Sequence, residues 1–188
     1  MLGATSPGAN IMENKTKVHD FNDNLEWSEQ QSDEPFWDAI YRKAFPNMVW
    51  HKLCNGNTEG QHRGVDRLIY LSNDRILRID EKKRKEVYQD ILLEYISVDT
   101  INAPGWIEKD LAIDYLAYAF MPIQTVYLFD WLMLRRVWLH FGNEWKEKYE
   151  KVSAKNSTYT TWSVAIPIKI LRNAVALSRE IKLEMQHA

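Results

Sequence analysis

The residues of this 188-residue chain whose types and spacing can do chemistry are Asp66 and the run Asp80, Glu81, Lys82. Two carboxylates and a lysine on adjoining strands can build a metal-dependent site for phosphodiester cleavage. Side chains alternate along a strand, so Asp80 and Lys82 share one face. Mg²⁺ prefers oxygen ligands and keeps several waters beside one or two carboxylates, and Asp66 and Asp80 would supply these; Mn²⁺ would serve as well. Bound metal polarises the scissile phosphate and acidifies a coordinated water, while Lys82 orients that water or offsets charge at the pentacovalent centre. Glu94, within the apolar stretch ILLEYIS, is the third acidic candidate. A lone carboxylate in such a strand is costly unless a cation pairs with it, and a metal or Lys82 would do so; the alternative register turns Glu94 to solvent.

The elements that must position these residues are two strands, predicted over 63–71 and 75–83, with Ser72, Asn73 and Asp74 as turn residues. Counting back from the turn sets Asp66 opposite or nearly opposite Asp80. Glu81 and Lys83 satisfy the same acidic-X-Lys spacing on the other strand face. Leu77 and Ile79 share that face and should point to the core, which favours Asp80 and Lys82 as the pair lining an open cleft.

GVD at Gly64 to Asp66 and DEK at Asp80 to Lys82 resemble, in order, spacing and element type, the motif of the PD-(D/E)XK nuclease superfamily. With EKKR, DILLEYIS and GWIEKDLAIDYLAY, the chain looks like small phage and bacterial members of that superfamily. The resemblance spans roughly 36–171 and is sharpest over 66–94. It implies an α/β, restriction-endonuclease-like αβββαβ core, a mixed central sheet flanked by helices, with an extra C-terminal helix. It also implies catalytic roles for Asp66, Asp80, Lys82 and Glu94, metal ligation by Asp66, Asp80 and the main-chain carbonyl of Glu81, and DNA, or RNA, as substrate. Duplex cleavage needs two centres, so many nucleases with such a site pair, and the apolar face of the last helix offers a surface for a homodimer. The competing expectation is a non-catalytic nucleic-acid-binding or assembly protein of a phage or mobile element.

Beside the motif, Gln61, His62 and Arg63 precede the Asp66 strand and can touch a phosphate, and Lys83 and Arg84 in the run 82–85 can anchor a nucleic-acid backbone; the bland reading of both groups is solvated polar surface. His19, His51, His140 and His187 lack ligand spacing, which argues against zinc. Asp38 on the first helix matches an acidic position in many superfamily members, yet Phe36, Trp37, Ile40, Tyr41 and Ala44 make that helix mainly structural. Asp90 reads as a turn or strand-entry residue and Asp114 as a surface or helix-pairing one. Tyr159 and Trp162 in the loop 155–162, with Trp106, can stack a splayed base or simply cap the core.

Composition bounds the rest. A 45% hydrophobic chain with eight Trp can bury a sizeable core as one domain, assigned to 33–188, whereas 1–32 is polar and tag-like, with Met12 a candidate start. Its single cysteine, Cys54, leaves no intrachain disulfide and suits a reducing cytoplasm. Neither a membrane span nor a signal peptide is expected. A net charge of −2 argues against a broad basic surface. The predicted order is a helix (34–45), a strand (48–53), a Gly/Asn loop (55–60), the motif strands, the Glu94 strand (90–97), a helix (110–121), a strand (125–129), a long helix (130–153), an edge or irregular segment at Pro167 (164–170) and a final amphipathic helix (169–186).

Overall fold

The computed structural model describes residues 34–54, 64–176 and 179–184. Helix α1 (Glu34–Ala44) buries Trp37, Ile40, Tyr41 and Ala44 along one stripe, carries Glu34 in its first turn and Arg42 and Lys43 in its last, and stops before Pro46. Strands β1 (Met48–Leu53), β2 (Arg67–Leu71) and β3 (Ile76–Arg84) follow as an antiparallel meander. Asp74 takes the left-handed conformation in the β2–β3 turn, with φ of 62°. The chain then leaves this sheet through β4 (Asp90–Val98) and β5 (Ala103–Pro104). It returns as β6 (Tyr115–Phe120), parallel to β3, and β7 (Thr125–Asp130), antiparallel to β6.

Asp130 caps helix α2 (Trp131–Lys148) by accepting from the Met133 amide at 3.0 Å. Strands β8 (Lys151–Lys155) and β9 (Thr160–Pro167), helix α3 (Ile168–Ala174) and β10 (Arg179–Lys182) complete the described elements. Two sheets result, a mixed six-stranded one ordered β1-β2-β3-β6-β7-β10 and a four-stranded one ordered β5-β4-β9-β8. The architecture is therefore α/β with a mixed sheet. One apolar cluster lies between the six-stranded sheet and α1, with Trp37, Ile40, Ile69, Ile79, Ala117, Leu128 and Ile181 in it. The other joins both sheets to α2 and α3 through Ile91, Leu93, Leu116, Phe120, Phe129, Leu134, Trp138, Val164 and Leu171. No described helix is long and apolar enough to cross a membrane.

Several expectations are corrected. The predicted helix over 110–121 is β6: five of its six residues, Leu116 to Phe120, are buried, and a strand covered on both faces reads as a continuous apolar run that mimics helical spacing. The long helix ends at Lys148, not 153, because residues 151–155 pair with β9. The loop at 155–162 is a hairpin turn, with Trp162 inside β9 opposite Ser153 and Ile96. β9 lies inside the smaller sheet, with Pro167 only at its end. In place of a final helix over 169–186 the described residues form the short α3 and the strand β10, so the long amphipathic C-terminal helix on which a dimer face was expected is not formed there. The strand over 63–71 begins only at Arg67.

Candidate carboxylate and lysine site

Gly64 delivers the chain to the site: its φ of +76° lies in the left-handed region, and a Cβ there would fall 2.9 Å from a Leu111 methyl. Val65 is buried, and Asp66 follows at the head of β2. Since Arg67 pairs with Ile79, Asp66 stands one step further, beside Asp80. The Glu81 amide donates to Asp66 Oδ2 at 2.7 Å, so the carboxyl extends the β2–β3 ladder where the main chain stops.

Asp80 and Lys82 share the sheet face of Leu116 and Tyr118, their partners on β6, while Leu77, Ile79 and Glu81 turn toward α1. Lys82 Nζ donates to Asp80 Oδ1. Asp80 is 2% exposed, and its Oδ2 is the buried side-chain oxygen left without a partner among the described residues. Burial first, and then the neighbouring Asp80 carboxylate, push the Asp66 carboxyl up to about 7 against the pull of Lys82. Burial would lower the Lys82 ammonium, but Asp80, Asp66 and Glu94 together outweigh it and raise it.

Glu94 reaches this centre from the second sheet. The backbone of GWIE packs against it: Ile107 N donates to Glu94 O at 3.2 Å, and a Cβ on Gly105 would lie 2.2 Å from that same oxygen. Burial raises the Glu94 carboxyl, opposed by Lys82 and Lys109 and by the Trp106 amide. Lys82 thus stands in the field of three carboxylates, from β3, from β4 and from the residue just before β2.

The other sequence candidates fall elsewhere. The Glu81 carboxylate lies behind the sheet, 2.5 Å from Arg67 Nε and accepting from the Tyr41 hydroxyl at 2.8 Å, so only its main chain remains for a ligand. Burial raises this carboxyl while Arg67 opposes it. Lys83 follows Glu81 onto that rear face and acts on its charge there. Arg84 is on the Asp80 face but donates to the Tyr118 hydroxyl at 3.1 Å and lies over the Tyr88 ring. Gln61, His62, Arg63 and the 55–60 loop lie outside the described residues. Asp38 pairs with Arg42 and His51, and Asp114, just before β6, accepts from the Arg78 amide at 2.8 Å and from its guanidinium. Trp106 is buried near Trp131.

Sequence reading missed Arg67. Its side chain is 2% exposed and joins Glu81, Glu34 and the His51 Nδ1 acceptor beneath the Tyr41 ring. The signal was present: on a strand whose alternate residue Ile69 faces α1, an arginine two positions earlier must face α1 as well.

Among the described residues no group of three or more His, Cys, Asp or Glu side chains is placed to hold a metal. The Asp66–Asp80 pair still fits a hard cation that keeps its waters, because it offers an unpartnered buried carboxylate oxygen beside a carboxyl whose ionisation burial opposes. Compared with protein-family models, with curated proteins and with solved structures, the chain matches none.

Proposed function

We propose that this protein is a Mg²⁺- or Mn²⁺-dependent nuclease that hydrolyses phosphodiester bonds in DNA. The observation that carries the reading is the juxtaposition of Asp66, the buried and orphaned Asp80 oxygen and the part-exposed Lys82 on one sheet face. In this reading α1, β1, β2, β3 and the parallel β6 are the restriction-endonuclease-like core. Its departure from that pattern is that β4 and β5 replace the helix between β3 and β6. Asp66 and Asp80 would hold the ion, with the Glu81 carbonyl beside them, and when bound the ion supplies Lewis acidity and an acidified water. Asp66 must lose its proton to serve, and Lys82 must turn from Asp80 toward the phosphate or the attacking water. Glu94 adds to the field of Asp80 and Asp66 that favours a charged Lys82 during that exchange.

A second reading is favoured by one observation: Lys82 already neutralises Asp80. A non-catalytic nucleic-acid-binding or assembly protein would keep this internal pair permanently. Incubating the protein with plasmid and single-stranded DNA in Mg²⁺ or Mn²⁺, beside EDTA and Asp80→Asn controls, separates the two. Metal-dependent cutting lost in Asp80→Asn supports the nuclease. Failure of the folded protein to cut either substrate leaves the binding protein.

A further inference from the structure

Trp50 stands on β1, the outer strand of the six-stranded sheet, and its ring stacks on Tyr70 of β2 with centroids 4.3 Å apart and planes 8° apart. One face of the indole is taken by Tyr70, yet the residue stays 48% exposed. The register Trp50↔Tyr70↔Ile76 and Lys52↔Leu68↔Arg78 places all six side chains on one sheet face. By strand alternation that is also the face of Asp66, Asp80 and Lys82. Over β6 and β7 this face is buried beneath the second sheet and α2, whereas toward β1 the described residues leave it uncovered, with Ile76 and Arg78 exposed as well as Trp50.

Among the described residues a strip with part-buried Leu68 at its middle therefore runs from the acidic centre to a flat aromatic ring, about 13 Å away by strand rise between Asp66 and Tyr70. A short run of nucleotides bridges such a distance. Of the strip's two cations away from the centre, Arg78 is paired with Asp114, so the exposed Lys52 is the side chain placed between centre and ring to meet a phosphate. A duplex hides its base faces in its own stack, so an exposed ring rewards only an unpaired base.

We propose that the Trp50–Tyr70 stack is a base-stacking platform for a single-stranded stretch of the nucleic-acid substrate, with Lys52 holding the phosphates that lead to Asp66, Asp80 and Lys82. The proposal rests on the phosphodiester reading of that centre and adds a substrate class to it. Binding of a short labelled oligothymidylate, followed by fluorescence anisotropy in EDTA, tests it without any cutting. Trp50→Ala and Trp50→Leu should weaken binding about tenfold or more while Trp50→Phe retains most of it. Lys52→Ala should lower the slope of log affinity against log salt by about one. Binding of a matched duplex should be unaffected by the Trp50 changes, and thermal melts establish that each variant is folded.

Wild-type affinity in Trp50→Leu, an equal loss on duplex, or no binding of the oligonucleotide by the wild-type chain overturns the proposal. So does self-association that depends on Trp50 without nucleic-acid binding, which would assign the strip to a second copy. Aromatic-dependent binding without metal-dependent cutting would keep the platform and remove the nuclease. Cutting of single strands indifferent to Trp50 would do the reverse.

Discussion

At the residue scale the centre is held in tension by burial. Asp66 ionises near pH 7 in the fold, against a value of 3.8 for an ordinary aspartate, so the folded chain binds a proton there that the unfolded chain has already released. Between these values stability falls as pH rises, by on the order of a few kcal/mol for a shift of this size, and above about 7 the loss is complete. Asp66→Asn keeps an oxygen for the Glu81 amide but has no charge to bury. Melts in EDTA should therefore show the variant gaining on the wild type from pH 4 upward, with the gap constant above pH 7. A gap independent of pH would mean that Asp66 is not the buried acid. On the other sheet face the Arg67–Glu81 pair is nearly sealed, and removing one charge strands its partner. Arg67→Met should lower unfolding free energy by about 3–5 kcal/mol in urea titration, and Arg67→Met with Glu81→Leu should recover most of it. Failure of the double replacement to recover would place the cost with Glu34 and His51 instead.

At the scale of elements, the placing of Glu94 beside Lys82 depends on how β4 is pressed against the chain at Gly105. Its Cα stands where a methyl group would overlap the Glu94 carbonyl, so Gly105→Ala must move either GWIE or β4. The expected outcome is lower stability by about 1–3 kcal/mol and, on the proposed nuclease reading, weaker metal-dependent cutting as Glu94 leaves Lys82. Calorimetry and cleavage assays on the same preparation check both, and unchanged values would show that the segment yields freely. The elements also show what was legible in the sequence. The α1 stripe, β1 and the motif hairpin were readable, because alternation and a polar turn specify a strand covered on one face. The face of Asp80 and Lys82 followed from Leu77 and Ile79 in the same way. β6 was not readable, since burial on both faces erases the alternation. Nor was β10, whose short REIK has no pattern of its own and becomes a strand because β7 offers it an edge. Trp50 passed unnoticed because only the pairing of β1 with β2 puts its ring on Tyr70 and on the site's face.

At the scale of the molecule, the six-stranded sheet is closed at one side by a segment far along the chain. β10 pairs with β7 from Arg179↔Leu128 to Lys182↔Thr125, and Ile181, 6% exposed, fills the cluster beneath α1. It also holds α1: Arg179 donates to Ala44 O at 2.7 Å, and Lys43 to Lys182 O at 2.7 Å. Helix, motif sheet and last strand are thus one packed unit, although β10 lies at the opposite side of the sheet from β1 and contributes no side chain to the Asp66–Asp80 centre. Ending the chain after residue 176 should leave β7 as a bare edge over Val126 and Leu128 and loosen α1. The expected result is a large fall in the urea midpoint and a tendency to associate through β7, measured by denaturation and sedimentation. Ile181→Ala keeps the ladder and removes only the apolar contact, so it should cost about 2–5 kcal/mol without association. If truncation cost no more than Ile181→Ala and left the chain monomeric, the edge pairing would contribute little, and α1 would be held by its own buried stripe and the Arg67 network alone.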